Sequence, residues 1–182
     1  LPLLSEYQTD LAQSEALYRA YLVIQERDGP RLTPEQRRVV ENALRDFRLA
    51  GVALDAALKQ RFKEVMSELA QLGAKFEQNV LDATNAWTRA VTDPAELEGL
   101  NAAIVGQAKA RAEAAGRDGW LLALNQPTYV AVMTDATSRA LRRDFYEAWS
   151  TRASDAGPNA GQWDNGPVME ALLRLRHEAA QL

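Results

Sequence analysis

His177 is the only histidine in the chain. It stands between Arg176 and Glu178, and one imidazole cannot build a histidine-rich zinc site. HExxH places two imidazoles on one helix face beside a glutamate that activates water; it is absent, because no second histidine exists four residues away. The di-iron pattern of paired Glu-x-x-His segments fails for the same reason. Cysteine is absent, which removes disulfides, thiolate metal sites and a cysteine nucleophile. Ser150, Thr151 and Ser154 offer hydroxyls, but a triad would have to recruit His177 and nothing else in the chain supports one. Glu64 and Glu68 lie one helical turn apart and read as solvated surface charge. Asp155, Asn159 and Asp164 cluster in one loop without the spacing of a calcium-binding hand. They are expected to hydrogen-bond turn backbone, with Asp164 or Asn165 capping the helix that follows. Gly157, Gly161 and Gly166 match neither phosphate-binding spacing. From the residues alone there is no catalytic, cofactor-binding or metal-binding residue to assign.

These residues sit in a chain of 182 residues, 47% hydrophobic and 25% charged. That is enough for one domain or two small ones with a sizeable core. Ala, Leu, Glu and Arg dominate, a mix that favours helix. No run of about 18 apolar residues occurs, so no membrane-spanning helix is expected. The opening LPLLSEYQTD lacks the pattern of a signal peptide. A net charge of -4 argues against nucleic acid or an anionic membrane as partner. The basic pairs Arg37-Arg38 and Arg142-Arg143 are read as solvated helix faces.

The fold class expected is mostly α, with one long helix and a small two-strand β element. Leu4, Tyr7, Leu11, Tyr18, Tyr21 and Leu22 recur at helical spacing, and that helix should end near Asp28-Gly29-Pro30. Thr33-Pro34-Glu35-Gln36 is a start signal: Thr33 caps, Pro34 suits the first turn, and Gln36 completes a capping box. The helix it opens carries Val40, Ala43, Leu44 and Phe47 and fades near Gly51. A long helix begins near Asp55 and runs to about Ala90, with Phe62, Val65, Met66, Leu69, Leu72, Phe76, Val80, Ala83 and Trp87 on one face. Gly73 within it suggests a close helix crossing. Ala90–Asp93 and Gly119–Asn125 read as short strands able to pair, with Val91 and Trp120 beside the element. Between them, residues 102–115 are Ala-rich and helical. A turn or two of helix follows Pro127. Residues 135–150 form a helix with Leu141, Phe145, Ala148 and Trp149 inward. The last helix starts near Pro167. The absence of an initiator methionine, and a final helix that stops in mid-phase, lead us to expect a segment of a longer chain.

Four stretches in order carry a resemblance: NALRDF (42–47), NVLDATNAWTRAVTD (79–93), QPTYVAVM (126–133) and STRASDAGPNAGQWDN (150–165), followed by LRLRHEAAQL. Together they resemble the thimet-oligopeptidase family of zinc metallopeptidases. NALRDF is weak alone, the STRASD to WDN block is specific, and the ordered set spans the whole chain. The resemblance implies a large, mostly helical, two-lobed enzyme, cytoplasmic in bacteria, that cuts short peptides inside a deep channel. It implies a single zinc held by the HExxH histidines and a downstream glutamate, with the HExxH glutamate activating water. That motif lies outside this chain, so no zinc ligand or catalytic residue is carried over.

On this reading residues 1–182 are a single helical segment of the parent peptidase, with the catalytic zinc region absent. The segment contributes channel wall and is expected to be inactive alone. Its partners are short peptide substrates of the parent and the remaining catalytic region of the same chain, with no nucleic acid and no membrane. Apolar faces left uncovered in an isolated segment are expected to make it dimerise or to leave it marginally stable, with the last helix frayed. A non-enzymatic helical protein-interaction module is the competing reading.

Overall fold

The computed structural model describes residues 2–182. It is mostly helical, with one two-stranded sheet, as expected. The chain forms two compact units: residues up to Ala74 with Glu170–Leu182, and Lys75–Met169. The division falls inside two helices, α4 (Ala56–Ala86) and α8 (Gly166–Gln181). No helix among the described residues is long and apolar enough to cross a membrane.

In the first unit the expected opening helix is two helices, α1 (Pro2–Ala12) and α2 (Glu15–Val23). Ser14 takes extended backbone between them and its hydroxyl accepts from the Leu17 amide at 3.4 Å. That cap starts a new helix where the apolar spacing alone ran on unbroken. Gln13 at the break donates its side-chain amide to the Ala50 carbonyl at 2.9 Å. A five-residue π turn (Ile24–Asp28) and a 3-10 turn (Gly29–Arg31) then end the segment where Gly29-Pro30 predicted. The apolar stripe also divides. Tyr18 and Tyr21 pack on Phe47, with ring centroids 6.0 and 5.7 Å away, while Leu4, Tyr7 and Leu11 are exposed.

Helix α3 (Pro34–Leu49) begins on a complete capping box: Thr33 Oγ1 accepts from the Gln36 amide, and Gln36 Oε1 from the Thr33 amide. Val40 and Leu44 are its buried residues. Helix α4 starts at Asp55, whose carboxylate accepts from the amides of Ala57 and Leu58. At 31 residues it is about 46 Å long. It stops at Ala86, four residues before the expected end, because the chain passes at once into a strand. Gly73 has no atom within 4 Å of the place a Cβ would occupy, so the close crossing expected there is not what the residue serves.

In the second unit, β1 (Thr88–Val91) and β2 (Trp120–Ala123) pair antiparallel, and Val91 faces Trp120 in the register. The strands are the expected pair, and β1 begins two residues early. Helix α5 (Ala102–Ala114) connects them, capped by Asn101. Helices α6 (Gln126–Asp135) and α7 (Arg139–Ser150) follow, capped by Asn125 and Ser138. Residues 136–138 are not helical, so α7 starts four residues after the helix expected from Asp135: Ser138 supplies the cap that Asp135 does not. Val91, Leu97, Ile104, Leu122, Val132, Leu141, Phe145 and Ala148 belong to one buried cluster. Trp87 meets Phe145 edge to face at 4.9 Å. Trp149 stays partly exposed at the margin of this core.

Candidate functional site

The residues whose types suggested chemistry are placed apart, and most are already engaged. His177 is exposed on α8. Glu64 and Glu68 both accept from Arg61, at 3.4 and 3.5 Å, and the same guanidinium forks onto Glu178 at 2.6 and 2.9 Å. These bonds hold the Glu178 carboxyl below its usual range and raise Arg61. Glu64 is lowered first by the Gln60 amide and then by Arg61. Among the described residues no three of His, Cys, Asp and Glu converge to hold a metal ion, so those residues offer no donor set for the zinc that the family resemblance implies.

The loop after α7 is built by its own side chains. Ser150 and Thr151 donate their hydroxyls back to the carbonyls of Tyr146 and Glu147 at 2.7 and 2.6 Å. Ser154 donates to the Thr151 carbonyl at 2.7 Å and accepts from the Ala156 amide at 3.2 Å. These hydroxyls are committed to main-chain carbonyls and brace the turn. Asp164 accepts from the Gly166 amide at 2.8 Å, the start of α8. Asn165 does something else: its side-chain amide donates to the Phe76 carbonyl, and its side-chain oxygen accepts from Asn79. The loop is thereby tied to α4. Asp155 is exposed and takes part in none of these bonds.

Residue types and spacing did not reveal a three-layer stack in the second unit. Tyr129 lies flat on Trp149, with centroids 4.4 Å apart and planes 15° from parallel. The Arg152 guanidinium lies 3.6 Å from the Trp149 ring centroid. Arg152 Nη1 is buried without a hydrogen-bond acceptor among the described residues, and desolvation lowers the pKa of the group. The available signal was aromatic: Tyr129 and Trp149 are both on helices, and Arg152 comes three residues after Trp149.

A broad groove of about 1000 Å³ runs beside α7, lined by Met133, Arg139, Arg142, Arg143, Tyr146 and Glu147 among others. Arg142 is spent on the carbonyls of Ala136 and Thr137 at the end of α6. Asp144, also on the groove, accepts from Arg89 at 2.8 Å. The basic pair expected to be solvated is therefore divided: Arg142 braces the helix junction and Arg143 faces the groove.

Residues 2–61 match the N-terminal domain of neurolysin and thimet oligopeptidase. The whole chain is similar to oligopeptidase A of Salmonella typhimurium, 51% identical over 185 residues, which are 27% of that relative. Oligopeptidase A of Haemophilus influenzae is 44% identical over 183 residues, again all of this chain and 27% of the relative. Dipeptidyl carboxypeptidase of Escherichia coli is 30% identical over 181 residues, 98% of this chain and 26% of that protein. The chain thus spans about a quarter of the length of these relatives. On the match of residues 2–61 to that N-terminal domain and the similarity to oligopeptidase A along the whole of this chain, the chain belongs to the thimet-oligopeptidase family.

Proposed function

We propose that this chain is part of a zinc-dependent oligopeptidase that hydrolyses short peptides in the cytoplasm, and that its own share of the work is to shape the protein. The observation that carries this is identity of 51% to oligopeptidase A along the whole chain. The internal commitments of the side chains support the structural half of the reading. The hydroxyls of the loop and the carboxylates beside Arg61 are taken up in holding helices and turns. The zinc that the family resemblance implies has no fitting donor set here, so no catalytic step is assigned to these residues. A long, unbroken α4 suits a wall that admits short unfolded peptides and turns folded proteins away. The exposed Leu4, Tyr7 and Leu11 on α1 suit contact with the remaining catalytic region of the same chain, or self-association when that region is missing.

The test is a full-length family protein carrying this segment, assayed on a short fluorogenic peptide and on a folded protein of the same cleavage sequence. Cleavage of the short peptide alone, abolished by a chelator, is the expected result. Equal cleavage of the folded protein would remove the size-excluding role.

The competing reading, a helical interaction module, draws on the same exposed α1 residues. It predicts capture of a partner by a protein with no peptidase activity at any length, and the same assay separates the two.

A further inference from the structure

We infer that the groove beside α7 binds a short peptide by its C-terminal carboxylate, with Arg139 and Arg143 as the recognising pair. Arg139 and Arg143 are four residues apart on one helix, which places their Cβ atoms about 6 Å apart on the same face. Both are exposed and both line the groove. The ion pairs of the described residues leave neither with a carboxylate. Two of their neighbours are engaged elsewhere: Arg142 by two carbonyls, Asp144 by Arg89. The groove therefore presents two uncommitted guanidinium groups in a chain whose net charge is -4. A pair of guanidinium forks at this spacing suits a carboxylate, which each can meet with charge-assisted hydrogen bonds.

The rest of the lining limits what carries that carboxylate. Met133 and the exposed Tyr146 give apolar and aromatic surface beside the arginines. Glu147, one turn beyond Arg143, lines the groove as well and is paired with no cation among the described residues. Positive charge at one end and a carboxylate at the other complement a short zwitterionic peptide better than a polyanion, which Glu147 would repel. Nucleic acid and clustered phosphates are disfavoured on that ground. The ligand's being a peptide rests on the peptidase reading above; the binding itself does not, because it is measured apart from hydrolysis.

The experiment titrates the 182-residue chain at low salt with a tetrapeptide of Ala and Phe, followed by amide shifts in NMR spectra and by calorimetry. The same peptide with a C-terminal amide, and an amidated version carrying one internal Glu, separate a terminal carboxylate from a side-chain one. The expected result is saturable binding of the free acid, shifts confined to α6 and α7, and binding about tenfold weaker for the plain amide. The double variant R139A/R143A should lose the binding while R139K/R143K keeps part of it, with circular dichroism of both unchanged because the two side chains are exposed. Equal binding of acid and amide, tighter binding of the internal-Glu peptide than of the free acid, undiminished binding by R139A/R143A, or no binding at millimolar peptide would each overturn the inference. Peptide hydrolysis by a full-length protein is scored separately, so loss of either reading leaves the other to be judged on its own result.

Discussion

Asn165 and Asn79, 86 residues apart in sequence, are joined side chain to side chain at 2.8 Å. Asn165 is 2% exposed, and its amide also donates to the Phe76 carbonyl at 3.1 Å. One residue thus satisfies a side-chain donor and a main-chain acceptor on α4 while sitting at the start of α8. An asparagine, with an acceptor and a donor on the same planar group, is the side chain that can do both at once.

Replacing Asn165 by Ala leaves the Asn79 amide and the Phe76 carbonyl without that partner. A loss of about 2 kcal/mol is expected, read as a shift of the urea midpoint with the slope unchanged. Asn79→Ala should cost less, because the Phe76 bond survives. If both variants unfold at the same urea concentration as the parent chain, the brace is not a stabilising one.

Gly119 takes φ +82° immediately before β2, and a Cβ there would run into the Val91 carbonyl oxygen across the strand pair. Gly116 also has positive φ, +63°, but meets nothing within 4 Å. Gly116→Ala therefore bears only the backbone cost, about 1 kcal/mol. Gly119→Ala adds a clash with main chain that no rotamer relieves. The check is the difference in melting temperature between the two variants. Equal melting would mean that the approach of residue 119 to Val91 is not close in solution.

Thr33 and Gln36 formed a start signal legible in the sequence, and the structure contains both bonds of the box. Thr33→Ala should cost about 1 kcal/mol, whereas Thr33→Ser should be nearly neutral. Thermal unfolding of the three proteins decides it, and a Ser variant as weak as the Ala variant would point to the methyl group instead.

Glu178 has its carboxyl lowered chiefly by the hydrogen bonds from Arg61, with burial opposing. A depressed folded-state pKa gives stability that is present above the unfolded value, near 4.5, and lost as pH falls through the lower folded value. The parent chain should thus lose more stability than Glu178→Gln on acidification below about pH 4.5. Both partners remain about a third exposed, so the effect is small and shrinks with added salt. Parallel acid limbs for the two proteins would show that the pair contributes nothing in solution.

Local signals predicted local features well. The capping box, the Gly29-Pro30 stop and the Asp55 start all depend on residues within a few positions of one another. Errors arose where a tertiary bond or a second cap decided the outcome. Apolar spacing ran through Gln13 and Ser14, and the cap on Leu17 with the distant Ala50 bond broke the helix there. Asp135 looked like a helix start, but Ser138 holds that place. Asp164 or Asn165 was expected to cap α8, and Asp164 meets the Gly166 amide there, but the bonds of Asn165 to Phe76 and Asn79 reach too far back in the chain for spacing to reveal them. The stacking of Tyr129 on Trp149 was hidden for the same reason, although Arg152 follows Trp149 by only three residues. No pattern marked the groove either, since its character depends on which arginines of α7 are already engaged.

We propose that these residues shape a peptidase and do not themselves cut peptides. The most direct test is turnover of a short fluorogenic peptide by the 182-residue chain with added zinc, beside a full-length family protein at equal concentration. Chelator-sensitive turnover is expected from the full-length protein, and none above buffer from the chain alone. Specific turnover by the chain alone, abolished by the chelator, would contradict the proposal.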